Sequence, residues 1–163
     1  MGYKITPSLG TQALYEPEIE GHYYYYLLNL KDGYNSPERL YHHAKQILSL
    51  MYHRRIPIIL VCQAGISRSN GMASLVLAFD LNISLDEAYE IVKKKVPRAQ
   101  VNYDFYDCCK QTLVLMRKRL VSKCKKCGAP VEFWEEYCKE CYLDLEYLRK
   151  LKEGGNNEAG KRT

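Results

Sequence analysis

The segment Cys62, Gln63, Ala64, Gly65, Ile66, Ser67, Arg68, Ser69 sets a cysteine and an arginine on either side of five residues. It follows the apolar, β-branched run at residues 58–61 and precedes a stretch rich in Ala, Leu and Val. That order reads as a buried strand, a tight loop and a helix. A loop closing onto a helix start aims several backbone N–H groups at one point, and the helix dipole adds positive potential there. Residues 63–68 are therefore expected to cradle a phosphate dianion. A cysteine in such a field ionises more readily, and the thiolate is the form that acts as a nucleophile. Gly65 lets the backbone turn and approach the oxygens, and Arg68 offers a planar fork of donors that a lysine could not reproduce. The Ser69 hydroxyl can donate to the sulfur as it leaves. The expected chemistry is phosphoryl transfer to Cys62, which needs mostly positioning and charge stabilisation. The competing reading makes Cys62 a structural thiol beside an apolar strand and Arg68 a surface cation.

Seven cysteines are present, an odd number that argues against a complete disulfide framework. Cys124/Cys127 and Cys138/Cys141 form two C-x-x-C pairs separated by ten residues. Such pairs complete a tetrahedral four-thiolate site, and the expected ligand is a structural Zn2+ with no open position for catalysis. Two disulfides or a redox pair are the alternatives; reducing surroundings disfavour the first, and the lack of a βαβ pattern nearby disfavours the second. Cys108 and Cys109 read as packing thiols on a helix.

The elements that must hold these groups are partly legible. Residues 3–10 and the tyrosine run from Tyr23 to Tyr26, continued through Leu27, Leu28 and Leu30, carry β-forming side chains and read as two strands. From Pro37 the pattern turns helical, with Leu40, Ala44, Ile47, Leu48 and Met51 on one face and Ser36 as N-cap; the helix must end before Pro57. Further helices are expected over residues 69–81, from Ser84 with the capping partner Glu87 to about Pro97, and over residues 102–120. A Lys- and Cys-rich segment then marks a boundary, a short helix is expected over 142–151, and the last stretch has too little apolar content to order itself. The expected organisation is a catalytic domain at 1–121, a zinc-binding segment at 122–152 and a disordered tail at 153–163.

Apolar residues make up 47% and charged residues 26% of 163, the profile of a soluble globular protein. No apolar stretch is long enough for a membrane span, and the N-terminus does not read as a signal peptide, so a cytoplasmic, reducing location is expected. The formal charge of +5 suits an anionic partner but decides little, since four thiolates around zinc would lower it further.

CQAGISRS resembles the signature loop of the protein tyrosine phosphatase superfamily. The stretches GISRSNGMASLVLAF and SLDEAYEIVKKKVP resemble its dual-specificity branch, and ITPSL is similar to that branch's opening strand. The resemblance covers roughly residues 3–118 and implies an α/β fold, a short, largely parallel central sheet flanked by helices, trimmed of one early helix and strand. The cysteine pairs resemble a zinc ribbon. The phosphatase resemblance implies a hydrolase of phosphotyrosine, phosphoserine and phosphothreonine on proteins, working through a phospho-cysteine at Cys62 with no metal in the chemistry. It also implies a general acid about 30 residues before the nucleophile, a place Asp32 fits, with Glu38 and Asp104 as weaker candidates; the Asp-Gly pair could equally be a plain turn. Asn102 is placed to brace the phosphate loop. One departure is Val61, where the family has a histidine that helps set the thiolate's ionisation. RNA 5′-triphosphatase activity is one alternative, for which Lys123, Lys125, Lys126, Lys139 and the aromatic residues Phe133, Trp134 and Tyr137 leave RNA open as a partner; a non-catalytic phosphate-binding module is the other.

Overall fold

The computed structural model describes residues 2–119 and 121–159. The chain divides into two compact units, Met1–Arg119 and Leu120–Thr163. In the first, β1 (Tyr3–Thr6), β2 (Leu9–Ala13), β3 (Tyr23–Tyr26) and β4 (Ile58–Cys62) make one sheet in the order β1-β2-β4-β3. Central β4 runs parallel to both of its neighbours, with Ala13 beside Cys62 and Tyr26 beside Val61. Every residue of β4 is buried, as its unbroken apolar run requires.

The opening segment differs from the single strand expected over 3–10. It is a hairpin, with β1 antiparallel to β2 and an irregular register between Lys4 and Thr6. Pro7, in the turn, has no N–H for a ladder and fixes its own φ, so the strand breaks there. β2 itself was not anticipated, because LGTQA lacks the alternation that marks a strand in sequence. Residues 14–22 then link β2 to β3 without a helix. Parallel strands are usually joined by a dozen residues or more with a helix between them.

The helices α1 (Pro37–His53), α2 (Arg68–Asp80), α3 (Leu85–Lys95) and α4 (Tyr103–Lys118) start where capping chemistry allows. Ser36 accepts from the Arg39 N–H, Ser84 from the Glu87 N–H, and Asn102 from the Asp104 and Phe105 N–H groups. α2 is the exception, with no side-chain cap at Ser67. It packs against β2, β4, α1, α3 and α4, and all of residues 69–78 are buried, which explains why its sequence shows no polar face. Gly71 is essential to that packing: a Cβ there would lie 2.7 Å from Phe105 Cε1 on α4.

The second unit holds an antiparallel pair, β5 (Val121–Lys123) and β6 (Pro130–Glu132), followed by α5 (Lys139–Ala159). Cys124, Val131 and Cys141 form its small core, with Ala129, Tyr137 and Cys138 packed against it. α5 is longer than the helix expected over 142–151 and includes residues 153–159 of the segment expected to lack order; residues 160–163 lie outside the described ones. Extending a formed helix fixes one residue per bond gained, whereas starting one fixes several. Among the described residues no helix is long and apolar enough to cross a membrane.

Gly71→Ala raises intrinsic helix propensity by about 1 kcal/mol, yet the clash with Phe105 costs more. Urea unfolding should show a net loss of roughly 1–3 kcal/mol; a neutral or stabilised variant would show that α4 can retreat freely.

Candidate active site

β4 ends at Cys62 and α2 begins at Arg68, so the loop between them is fixed at both ends by buried elements. Its carbonyls point away from its own centre. The Cys62 and Gln63 carbonyls both accept from the Leu14 N–H, at 2.9 and 3.2 Å. The Gly65 carbonyl accepts from Asn70 Nδ2 at 3.0 Å. The Ile66 carbonyl accepts from Asn70 Nδ2 at 2.9 Å and from the Gln100 N–H at 3.0 Å. In a trans peptide the N–H points opposite to the C=O. With these four carbonyls drawn outward, the N–H groups of Gln63, Ala64, Ile66 and Ser67 turn toward the concave side of the loop. Gly65 takes the left-handed conformation at φ 66°, and a Cβ on it would lie 2.7 Å from Arg98 Nη2 and 2.8 Å from the Ala13 nitrogen. The position therefore excludes any side chain.

Cys62 Sγ and Ser69 Oγ are hydrogen-bonded at 3.2 Å, both groups being buried. In the thiol the sulfur donates; in the thiolate the hydroxyl would donate to it. Arg68 Nη1 donates to the Leu30 carbonyl at 2.8 Å, which ties the guanidinium to the loop carrying Asp32. Asn35 shapes that loop. Its buried amide accepts from the Lys31 N–H and donates to the Lys31 and Gly33 carbonyls, holding Asp32 between them. An open pocket of about 500 Å³ is lined by Asp32, Cys62, Ala64, Ile66, Ser67 and Arg68, with Gln100, Val101, Asn102 and Tyr103 on the remaining wall.

The structure thus brings Cys62, Arg68 and Asp32 to one pocket and places Ser69 directly behind the sulfur. Glu38 is elsewhere, in a two-point ion pair with Arg119, and Asp104 is in the first turn of α4 and does not line the pocket. Asn102 does touch the loop, through its backbone: its N–H donates to Ser67 Oγ at 2.8 Å while its side chain caps α4. Gln100, Val101 and Tyr103 were not anticipated as lining residues, since only the packing of α3 returns them to a loop more than thirty residues earlier.

A buried ion pair supports the loop from behind. Glu16 Oε2 accepts from Arg98 Nη2 and from the Ala13 N–H, both at 2.7 Å, and the two side chains are 6% and 23% exposed. Burial acts to raise the Glu16 carboxyl, but the Arg98 hydrogen bond, the Ala13 amide and the Arg98 charge outweigh it and hold it below the usual carboxylate range. Arg98 also stacks over Tyr3, 5.0 Å from the ring centre.

In the second unit the sulfurs of Cys124, Cys127, Cys138 and Cys141 all lie within 4.8 Å of one another, and those of Cys127 and Cys138 are 3.7 Å apart. Four thiolates at about 2.3 Å from a tetrahedral zinc have sulfurs about 3.8 Å apart. The donor set therefore fits a metal ion such as zinc. Burial acts to raise the Cys124 thiol, but the backbone N–H groups of Cys127, Cys138 and Lys126 outweigh it and bring it down to about 6.

With this geometry in hand, comparison with known proteins defines the class of fold. No protein-family description matches the sequence, and no curated protein matches it. Solved structures do. A mouse candidate dual specificity phosphatase complexed with zinc tungstate matches at TM-score 0.63 and 15% identity, over 72% of this chain and 89% of that one. Human DUSP28 matches at 0.61 and 13%, over 71% and 98%. PTPMT1 in complex with PI(5)P matches at 0.60 and 15%, over 72% and 97%. The chain has the fold seen in these dual-specificity phosphatases, followed by a four-cysteine segment suited to a metal ion.

Glu16→Gln should lower stability at neutral pH, by less than the roughly 3–5 kcal/mol of a fully buried pair losing one charge, because Arg98 keeps part of its hydration. Because the folded carboxyl ionises below its unfolded value, the wild-type advantage is complete above about pH 5 and fades as pH falls through the folded value. Unfolding curves of the two proteins should therefore converge in acid; a constant gap down to pH 3 would remove Glu16 ionisation from the stability of the loop.

Proposed function

We propose that the protein is a phosphatase that hydrolyses phosphate monoesters, on phosphotyrosine and on phosphoserine or phosphothreonine in proteins, through a phospho-cysteine at Cys62. The observation that carries this reading is the anchoring of four loop carbonyls by Leu14, Asn70 and Gln100, which leaves the N–H groups on the opposite side of those peptides to receive a phosphate. In the first step the Cys62 thiolate attacks phosphorus and the ester P–O bond breaks, while the Asp32 carboxylic acid gives its proton to the departing oxygen. The loop amides of residues 63–67 and the Arg68 guanidinium hold the three equatorial oxygens as charge spreads over them. In the second step water attacks, Asp32 takes back a proton, the S–P bond breaks and inorganic phosphate leaves. The Ser69 hydroxyl, 3.2 Å from Sγ, donates to the thiolate as it re-forms.

The open pocket with Ile66, Val101 and Tyr103 on its border suits a single phosphate carried on a flat or extended side chain. Among the described residues lining it, Arg68 is the sole cation, and the added charge of an RNA triphosphate end has no partner there. The complex of PTPMT1 with PI(5)P makes an inositol phosphate the natural comparison substrate. No metal takes part in these steps. Cys124, Cys127, Cys138 and Cys141 would hold Zn2+ as a structural ion joining the β5–β6 hairpin to the start of α5. A closed shell of four thiolates supplies folding energy and leaves no open position for chemistry. None of these cysteines, Cys62 included, is in a disulfide, and a reducing cytoplasmic setting is the location that suits them.

On an aryl phosphate, Cys62→Ser should abolish hydrolysis, and Asp32→Ala should slow the first step by about 10²–10⁴-fold with substrate still bound. Turnover unchanged in Asp32→Ala would remove that residue from the mechanism. Wild-type protein that binds a phosphopeptide and never turns over would identify a phosphate reader instead. Metal analysis should find about one zinc per chain, and a chelator should unfold the segment after residue 120; oxidised thiols without zinc would overturn the structural ion.

A further inference from the structure

Among the described residues, Asn70 is the one whose side chain grips two peptides of the phosphate loop at once. It sits in the first turn of α2, fully buried, in a run of residues where small and apolar side chains are the rule. Its amide loses water on burial. Its bonding offsets that cost. The two Nδ2 hydrogens go to the carbonyls of Gly65 at 3.0 Å and Ile66 at 2.9 Å. Oδ1 accepts from Thr11 Oγ1 at 2.9 Å, and Thr11 is itself fully buried on β2. Backbone carbonyls only accept, so Gly65 and Ile66 fix the NH2 end of the amide toward the loop, and the Thr11 hydroxyl donates to the oxygen that remains.

We propose that Asn70 is a positioning residue for the phosphate site: held at its oxygen by the Thr11 hydroxyl, it turns the Gly65 and Ile66 peptides so that the Ile66 and Ser67 N–H groups face the bound phosphate. The proposal rests on the phosphatase reading of the pocket. Nothing else among the described residues donates to the Gly65 carbonyl, whereas Ile66 also receives the Gln100 N–H. Losing Asn70 therefore frees the Gly65–Ile66 peptide in particular. That peptide follows the residue with the left-handed backbone, where rotation meets the least resistance.

A role confined to stability and a role in positioning separate in the kinetics. A residue that only stabilises the fold, once removed, lowers the fraction of active molecules and hence the apparent kcat, leaving KM and anion affinity as they were. A residue that aims the amides weakens the binding of every tetrahedral oxyanion. The experiment measures KM and kcat for an aryl phosphate, the dissociation constant for tungstate, and the unfolding midpoint, in wild type, Asn70→Ala, Asn70→Asp and Thr11→Val. Asn70→Ala should weaken tungstate and raise KM roughly tenfold, the loss expected when one or two hydrogen bonds to the loop are removed. Asn70→Asp should be worse than alanine, because it sets a carboxylate against two carbonyl oxygens. Thr11→Val, which keeps the amide and frees it to turn, should fall between wild type and Asn70→Ala. A folded Asn70→Ala with wild-type KM and tungstate affinity overturns the proposal; should that variant not fold, unchanged tungstate affinity in Thr11→Val does the same. Wild-type protein that fails to bind tungstate defeats the phosphatase reading itself, and the role of Asn70 falls with it.

Discussion

The site depends on one unfavourable arrangement being made stable: several amide dipoles pointing at a common centre. Parallel dipoles crowded in this way repel one another, so each carbonyl on the outer side needs a donor to hold it. Those donors come from three separate places, Leu14 after β2, Asn70 in α2 and Gln100 after α3, and the Asn102 N–H at the start of α4 holds the Ser67 hydroxyl besides. Apart from Asn70, each lies more than thirty residues along the chain from the group it holds. The sheet order that puts Ala13 beside Cys62 is therefore part of the chemistry, because it delivers the Leu14 N–H to the first turn of the loop.

Behind this loop the molecule has spent polar groups where apolar ones would pack as well. Glu16, Arg98, Thr11, Asn70 and Ser69 are all buried or nearly so. Removing one member of such a set leaves another without its partner, which costs more than the original bond contributes. The pocket in front is by contrast open, with Tyr103 81% exposed on its border and Asp32 facing solvent. A rigid floor beneath an open mouth allows the phosphate to be held closely while the group that carries it varies.

What could be read in the sequence was whatever local spacing controls. The interval from Cys62 to Arg68, the two C-x-x-C pairs and the caps at Ser36 and Ser84 are each settled within a few residues, and each lies in the structure as the spacing implies. Asp32 was reachable only through resemblance; its place in the pocket depends on Arg68 and Asn35. β2 was missed because LGTQA has no strand signature and is held as a strand by β1 and β4. The Glu16–Arg98 pair was missed because 82 residues separate its members. Asn70 follows the motif with no signal of its own, and only its three bonds reveal what it holds.

The place of β4 between β2 and β3 carries a consequence for how the protein is born. Both neighbours precede it by dozens of residues, and both pair with it in parallel, so no hairpin can seed the centre of the sheet. Pairings between distant segments are slow to form, since the chain must give up the freedom of the intervening stretch before any bond repays it. The nascent chain would thus carry Cys62 unshielded until late, and an anion-binding pocket would exist only in molecules that had finished folding.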